Sequence, residues 1–482
     1  MRLYKSLFLI VGLAVLMVAS SCKKELERIN VNPNAVEQPQ PSYLLTGAIK
    51  TACDAYWNVG AAQGSGTPAN LFVQYWAAIQ YTDQDRYIFS NNDFSGLWTT
   101  CYSGSIVNLD KVIDLAGDNS NYKGVALILR SWVYCLLTDA FGDIPYAESI
   151  QIQQNVNPAY DTQKEVYEGI LNDLDTAETL LDPNGPVVEG DIIYGGDINL
   201  WKKFDNSLRL RIALRIADAD PAKAKAVTSA LEAAGGNYIS SNTGTAELKY
   251  LNTPPNDNPL AELFLTRDDY RISKTVVDEL FQLQDPRLPI YAAPTQDPTS
   301  QTYVGVPNGL LVGDASALGF TKTSKPGSYF LSPQAPAVIM SYAEVLFDRA
   351  EAAARGFTKE DAASLYRQAI TASMRQYGID QAAIDKYLGQ PAVQYDPGHF
   401  KKSIGVQKWI ALFGEGLEAF AEWRRLDYPA LKPAVAGVLN GEMPLRFIYP
   451  GTEQSLNKGG YGEAIKNQGP DLLTTRLWFD VN

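Results

Sequence analysis

Histidine is almost absent from this chain: His399 is the only one in 482 residues. A Ser-His-Asp or Cys-His arrangement would have to use it. It lies in a loop between Pro397-Gly398 and Lys401, where an exposed imidazole is the ordinary expectation. Zinc centres built on two or three histidines are excluded. Cysteine is nearly as scarce, at four. With Cys22 set aside as a lipid attachment point, Cys53, Cys101 and Cys135 remain, so at most one disulfide forms and the fold cannot rest on a framework of them. A Cys53–Cys101 bridge stays open. Cys135 lies in the run GVALILRSWVYCLLTDAF and reads as a buried helix residue. Neither common Gly-rich phosphate loop occurs, and no metal or other cofactor is implied. The 41 basic side chains against 54 acidic ones give a net charge of −13 and form no dense cluster. Nucleic acid is therefore not an expected partner, and the acidic body is not expected to lie flat on anionic lipid.

Long hydrophobic runs are missing too, except at the N-terminus. Arg2 and Lys5 precede Leu7 to Val18, a stretch without charge, and Ala19-Ser20-Ser21 places small side chains just before Cys22. Twelve residues of helix rise about 18 Å against a hydrocarbon core of roughly 30 Å, so the segment is an export signal and not a span. The pattern predicts a lipoprotein signal peptide over 1–21 with Cys22 as the lipidated residue, although Ala19 stands where bacterial lipoboxes more often carry Leu. Two or more acyl chains on Cys22 would attach the protein stably to a membrane. The rest of the chain is expected outside the bilayer, held by lipid alone.

Residues 22–40 are rich in Asn, Pro and Gln and read as a tether, followed by one mostly α-helical body over 41–482. Thr162 and Glu165 form a capping box that opens a helix with a buried stripe at Val166, Ile170, Leu174, Ala177 and Leu181. Leu200, Phe204, Leu208 and Ile212 mark another helix. The clearest unit is 341–377. Ser341 with Glu344 and Thr358 with Asp361 suggest two capping boxes, and Gly356 stands where a helix C-terminal cap belongs. Two helices of about four turns, joined by two or three residues, form a hairpin with a partial tetratricopeptide-repeat pattern. Residues 285–337 differ. They hold eight of the 27 prolines and no sustained helical period, an irregular insert of a length that is uncommon unless functional or disordered.

Aromatic residues number 52, and many sit in loop-like sequence. A Trp or Tyr face offers a flat platform for the C–H face of a sugar, while Asp, Asn, Gln and Arg reach its hydroxyls. On that chemistry Trp57, Tyr81, Arg86, Tyr87, Tyr291 and Tyr303 are the candidate ligand contacts. No catalytic pair is singled out: Asp83/Asp85 and Asp268/Asp269 are adjacent in sequence, which does not place carboxylates across a cleft.

The run TDAFGDIPYAES (Thr138 to Ser149) resembles a signature of the SusD/RagB family of Bacteroidetes surface lipoproteins. The likeness continues through PAYDTQKEVYEGILNDLD, DIIYGGDINLWKKFDNSLRLRIALRI, DPRLPIYA, APAVIMSYAEVLFDRAEAAARG, VQKWIAL, GLEAFAEWRRLDYP and RFIYP, in order along the chain. The leader INVNPN and the terminal LWFD fit as well. This resemblance implies a mostly α fold with four tetratricopeptide-like helix pairs supporting a loop-rich variable face. It also implies a lid role on a SusC-like TonB-dependent outer-membrane transporter, glycan as the cargo with oligopeptide as the alternative, and no enzymatic activity. A surface glycosidase and a ligand-free helical adaptor are the further rivals. Within the signature, Asp139, Gly142, Asp143 and Pro145 are expected to serve structure, and Asp285 with Arg287 to make a local salt bridge or turn.

Overall fold

Helical patterns set the architecture, and their pairing sets the shape of the core. The computed structural model describes residues 39–59, 67–149 and 155–481. The predicted signal peptide, Cys22 and nearly all of the tether lie outside the described residues. The chain divides into Met1–Gln40 and Pro41–Asn482, and the second unit opens with α1, Pro41–Tyr56.

Eight helices pack as four pairs. The first joins α2 (Ser120–Phe141) to α3 (Gln163–Leu180), and the second α4 (Ile198–Arg215) to α5 (Pro221–Ala233). The third joins α6 (Tyr342–Ala354) to α7 (Ala362–Gln376). A short helix, α8 (Gln381–Leu388), follows before the last pair, α9 (Phe400–Ala411) with α10 (Gly416–Leu426). Helix α2 is long and apolar enough to cross a membrane, but 94% of its apolar window is buried in the body. It is a core helix, with Cys135 inside it. Cys53, Cys101 and Cys135 are all free and buried.

Local expectations meet the structure in detail. Thr162 and Glu165 make a complete capping box: the Thr162 hydroxyl accepts from Glu165 N–H and the Glu165 carboxylate accepts from Thr162 N–H at 2.9 Å. Ser341 caps α6, yet the Glu344 side chain does not turn back to complete the box. It is buried and takes Arg211 instead. The second helix of the hairpin is capped by Asp361, not Thr358, whose hydroxyl is buried without a partner. The link is accordingly 355–361, longer than two or three residues. Gly356, at φ +68°, ends the first helix as expected, since an L side chain there would be strained.

The helix pairs are joined by buried charge. Arg211 grips Glu344 at 2.6–2.7 Å, and Arg215 reaches Glu418 at 2.5 Å, Glu422 at 2.8 Å and Asp139 at 3.3 Å. Lys408 bonds Asp348 at 2.5 Å and Glu422 at 2.7 Å, while Arg425 pairs with Glu351 and Glu422. These residues come from α2, α4, α6, α9 and α10, so one network crosses the molecule. Burial raises the Glu422 carboxyl, but Arg425, Lys408 and Arg215 overcome that and hold it well below the usual range. Sheet is minor: β1 (Trp76–Ala78) pairs antiparallel with β3 (Tyr270–Ile272), and β2 (Ala246–Leu248) with β4 (Ala337–Met340).

Candidate functional site

The loop-rich face is built on the β1–β3 ribbon. Trp76, Ala77 and Ala78 stand opposite Ile272, Arg271 and Tyr270, and every one of these residues is buried, as a short strand covered on both faces should be. Val306, within the 285–337 insert, adds a parallel bridge to Ser273. A small apolar cluster of Ala77, Ile79 and Val306, flanked by Leu310 and Phe320, lies beneath the loops.

Asp85 holds these segments together. It is fully buried and accepts hydrogen bonds from Ala78 N at 3.0 Å, Gly309 N at 2.9 Å and the Asn308 amide at 2.7 Å. Burial pushes its carboxyl up to about 6, against the lowering pull of those three donors. Asn308 also donates to Trp76 O at 2.8 Å and accepts from the Ser273 hydroxyl at 2.5 Å. One carboxylate and one amide thus knot together four stretches of chain.

Above the knot the backbone is strained. Six non-glycine residues among those described have φ in the left-handed region, and Gln74, Tyr81 and Tyr87 are three of them. Each such residue costs roughly 1–2 kcal/mol, so three within fourteen positions mark a segment held against its local preference. The strain at Tyr81 (φ +53°) accompanies a ring that is 69% exposed. The Arg267 guanidinium lies 5.0 Å from that ring's centre. Arg267 is held in turn by Asp269 at 2.6–2.7 Å, and the Gln80 amide donates to the other Asp269 oxygen at 2.8 Å. An exposed aromatic face backed by a guanidinium can lie against an apolar ring face, with the guanidinium reaching hydroxyls at its edge.

The other expected contacts fall elsewhere. Trp57 is 2% exposed, its ring packed on Gly414 so closely that a Cβ there would come within 2.8 Å. Tyr87 is 3% exposed; its hydroxyl accepts from Ala434 N at 3.0 Å and donates to Met443 S at 3.3 Å. Tyr291 is fully buried, stacked on Phe413 with ring centres 4.3 Å apart, and its hydroxyl donates to Ile410 O at 2.9 Å. All three are packing residues, because a ring enclosed by protein has no face left for a ligand. Arg86 is half-buried and donates to Ala436 O at 3.0 Å, tying the 79–88 loop to the 430–438 segment. Tyr303 is half-buried against the main core, three residues before Val306. Of the five candidate rings Tyr81 alone is exposed, while Arg86 and Tyr303 are half-buried. Gln80, Arg267 and Asp269 were not singled out from sequence. The Asp268-Asp269 pair was visible, but nothing in its spacing showed that it lies across the β1–β3 ribbon from Tyr81.

The signature residues have structural work. Asp139 bonds Arg215 and Tyr167, and Asp143 accepts from Gln163 N at 2.8 Å. Asp285 and Arg287 form a fully buried pair at 2.6 Å. Asp268 is spent on Arg271 and Lys325, both within 2.9 Å, and no cluster of three or more His, Cys, Asp or Glu able to hold a metal occurs among the described residues.

Four helix pairs carrying an anchored loop face define a helical-repeat fold. Residues 33–450 match the SusD-like family described as starch-binding and associating with the outer membrane. The chain belongs to that SusD-like family. Among solved structures it is similar to a chitin-binding protein at 30% identity and TM-score 0.82, over 92% of this chain and 100% of the other. It is also similar to a chitin-binding SusD homologue from Flavobacterium johnsoniae at 26% identity and TM-score 0.82, over 91% and 99%. A SusD homologue from Bacteroides uniformis aligns at 26% identity and TM-score 0.77, over 91% and 100%. No curated protein matches the chain.

Proposed function

We propose that the protein is a lipid-anchored, surface-exposed outer-membrane protein that captures an oligosaccharide without cleaving it and passes it to a SusC-like TonB-dependent transporter. Tyr81 carries the cargo reading: its exposed ring is backed by Arg267, which the buried Asp269 holds in place. The chitin-binding relatives, alike over more than 90% of this chain, make oligomers of N-acetylglucosamine the first ligands to try. Cys22 would carry the acyl chains, and the 22–40 tether would leave the body free to meet the transporter.

The test is calorimetric titration of the full-length protein in detergent against chitin and starch oligosaccharides and a set of peptides, with reducing ends assayed in parallel. Binding of an oligosaccharide without new reducing ends is the expected result. Binding of peptides alone would move the cargo to oligopeptide, and release of reducing ends would make the protein a glycosidase.

A further inference from the structure

Thirteen of the sixteen described arginines have a carboxylate within 4 Å, as befits an acidic protein. Of the three exceptions, Arg424 is buried and satisfied by the carbonyls of Phe420, Leu445 and Asp139. The other two, Arg367 and Arg375, are exposed and line one pocket of about 600 Å³. Both project from α7, eight residues apart, or about 12 Å along the axis. Arg367 touches only the Leu388 carbonyl, at 3.4 Å, and Arg375 only the Gln381 amide oxygen. The pocket's one carboxylate, Asp385, is engaged by the Gln381 amide at 2.7 Å. Its net charge is positive in a chain whose net charge is −13.

The remaining lining selects among anions. Ser364, Gln368 and Thr371 continue the polar stripe on α7, Ser241 and Asn242 form the facing wall, and Tyr342 supplies an aromatic edge. The Asn242 amide nitrogen donates to Ala372 O at 3.0 Å and holds that wall against α7. Hydroxyl and amide groups around a single ring suit a sugar better than an apolar peptide side chain, and guanidinium groups suit carboxylates.

We infer that this pocket is a second glycan site, separate from Tyr81, that binds a sugar chain bearing carboxylates through Arg367 and Arg375. The inference rests on the glycan reading of the protein but concerns other residues, so the two can fail independently. The experiment titrates the full-length protein with tetragalacturonate and with its fully methyl-esterified form, at low and physiological ionic strength. Wild type and Tyr81→Ala should bind the acid form alike, more weakly as salt rises. Esterification, or the double substitution Arg367→Gln/Arg375→Gln, should weaken binding roughly tenfold or more. Both arginines are exposed, so folding should survive, and an unchanged melting temperature checks it. Equal affinity for the two forms, no binding of either, or full affinity in the double variant would overturn the site. Loss of acid-form binding in Tyr81→Ala would place the ligand on the loop face instead. An acidic peptide bound at Arg367 and Arg375 in preference to the acidic sugar would replace the ligand class and overturn the inference.

Discussion

Replacing Tyr81 and Trp57 by alanine separates recognition from packing. A sugar ring laid on the exposed Tyr81 face would cover on the order of 60 Å² of apolar surface, worth about 1.5 kcal/mol at ~25 cal/mol per Å², or roughly tenfold in Kd. Tyr81 is 69% exposed, so Tyr81→Ala should leave folding stability within about 1 kcal/mol, chiefly through the lost Arg267 contact. Trp57 behaves in the opposite way. Its ring is 2% exposed and wedged on Gly414, and truncating a buried tryptophan costs about 3–5 kcal/mol. Calorimetric titration with the best oligosaccharide, beside thermal melts of each variant, reads both quantities. Tyr81→Ala should lose about tenfold in affinity with its melting point held, and Trp57→Ala should lose several degrees in melting point. Undiminished affinity in Tyr81→Ala would refute the platform. Lost affinity with an unchanged melt in Trp57→Ala would refute the burial argument.

Arg215→Met would strand Asp139, Glu418 and Glu422 in the core. It should destabilise by about 3–5 kcal/mol in urea unfolding, and a loss below about 1 kcal/mol would mean that the network is not cohesive. Lys466→Met is the control, because Lys466 and its partner Glu463 are 75% and 74% exposed and such pairs contribute about 0–1 kcal/mol. Burial raises the Asp218 carboxyl, but its hydrogen bond and charge pairing with Arg355, reinforced by Lys401, win and hold it at about 2, below the ordinary carboxylate value. Because the folded value is the lower one, its stabilisation is present above about pH 4 and is lost as pH falls towards 2. Asp218→Asn should therefore flatten the stability profile across that window, and an unchanged slope there would assign acid sensitivity to other carboxylates.

Helical periodicity and capping were legible because they are local. Thr162 with Glu165, Gly356 and the buried stripe of α3 depend only on neighbours three or four residues away. The same locality misled at Glu344, which has the spacing of a capping-box partner but is drawn off by Arg211, 133 residues distant. The motifs QKW and EAFAEWRR were visible as a resemblance, without a reason. The reason is long-range: Lys408, Glu418, Glu422 and Arg425 meet Asp348, Arg215 and Glu351 only once three helix pairs assemble. The aromatics failed for a related cause. Loop-like sequence around Trp57 and Tyr291 gave no sign that both rings turn inward, Trp57 onto Gly414 and Tyr291 onto Phe413. A platform and a core ring look alike until the partners that enclose the ring are known.

Scaffold and reader are held by different chemistry, and this bears on how such a protein can change its cargo. The helix pairs are fixed side chain to side chain, so altering one member of the network leaves a buried charge unpaired. The loop face is fixed largely through backbone: Asp85 takes the amides of Ala78 and Gly309, Arg86 and Tyr87 engage the main chain of Ala436 and Ala434, and Val435 and Val438 bond the Asn308 and Arg86 carbonyls. Tyr81 takes no part in those anchors, whereas Gln80 and Arg267 hold the nearly buried Asp269. The Tyr81 side chain can be exchanged without removing any of these bonds, so a new ligand preference can be written there while the fold beneath it stays as it is.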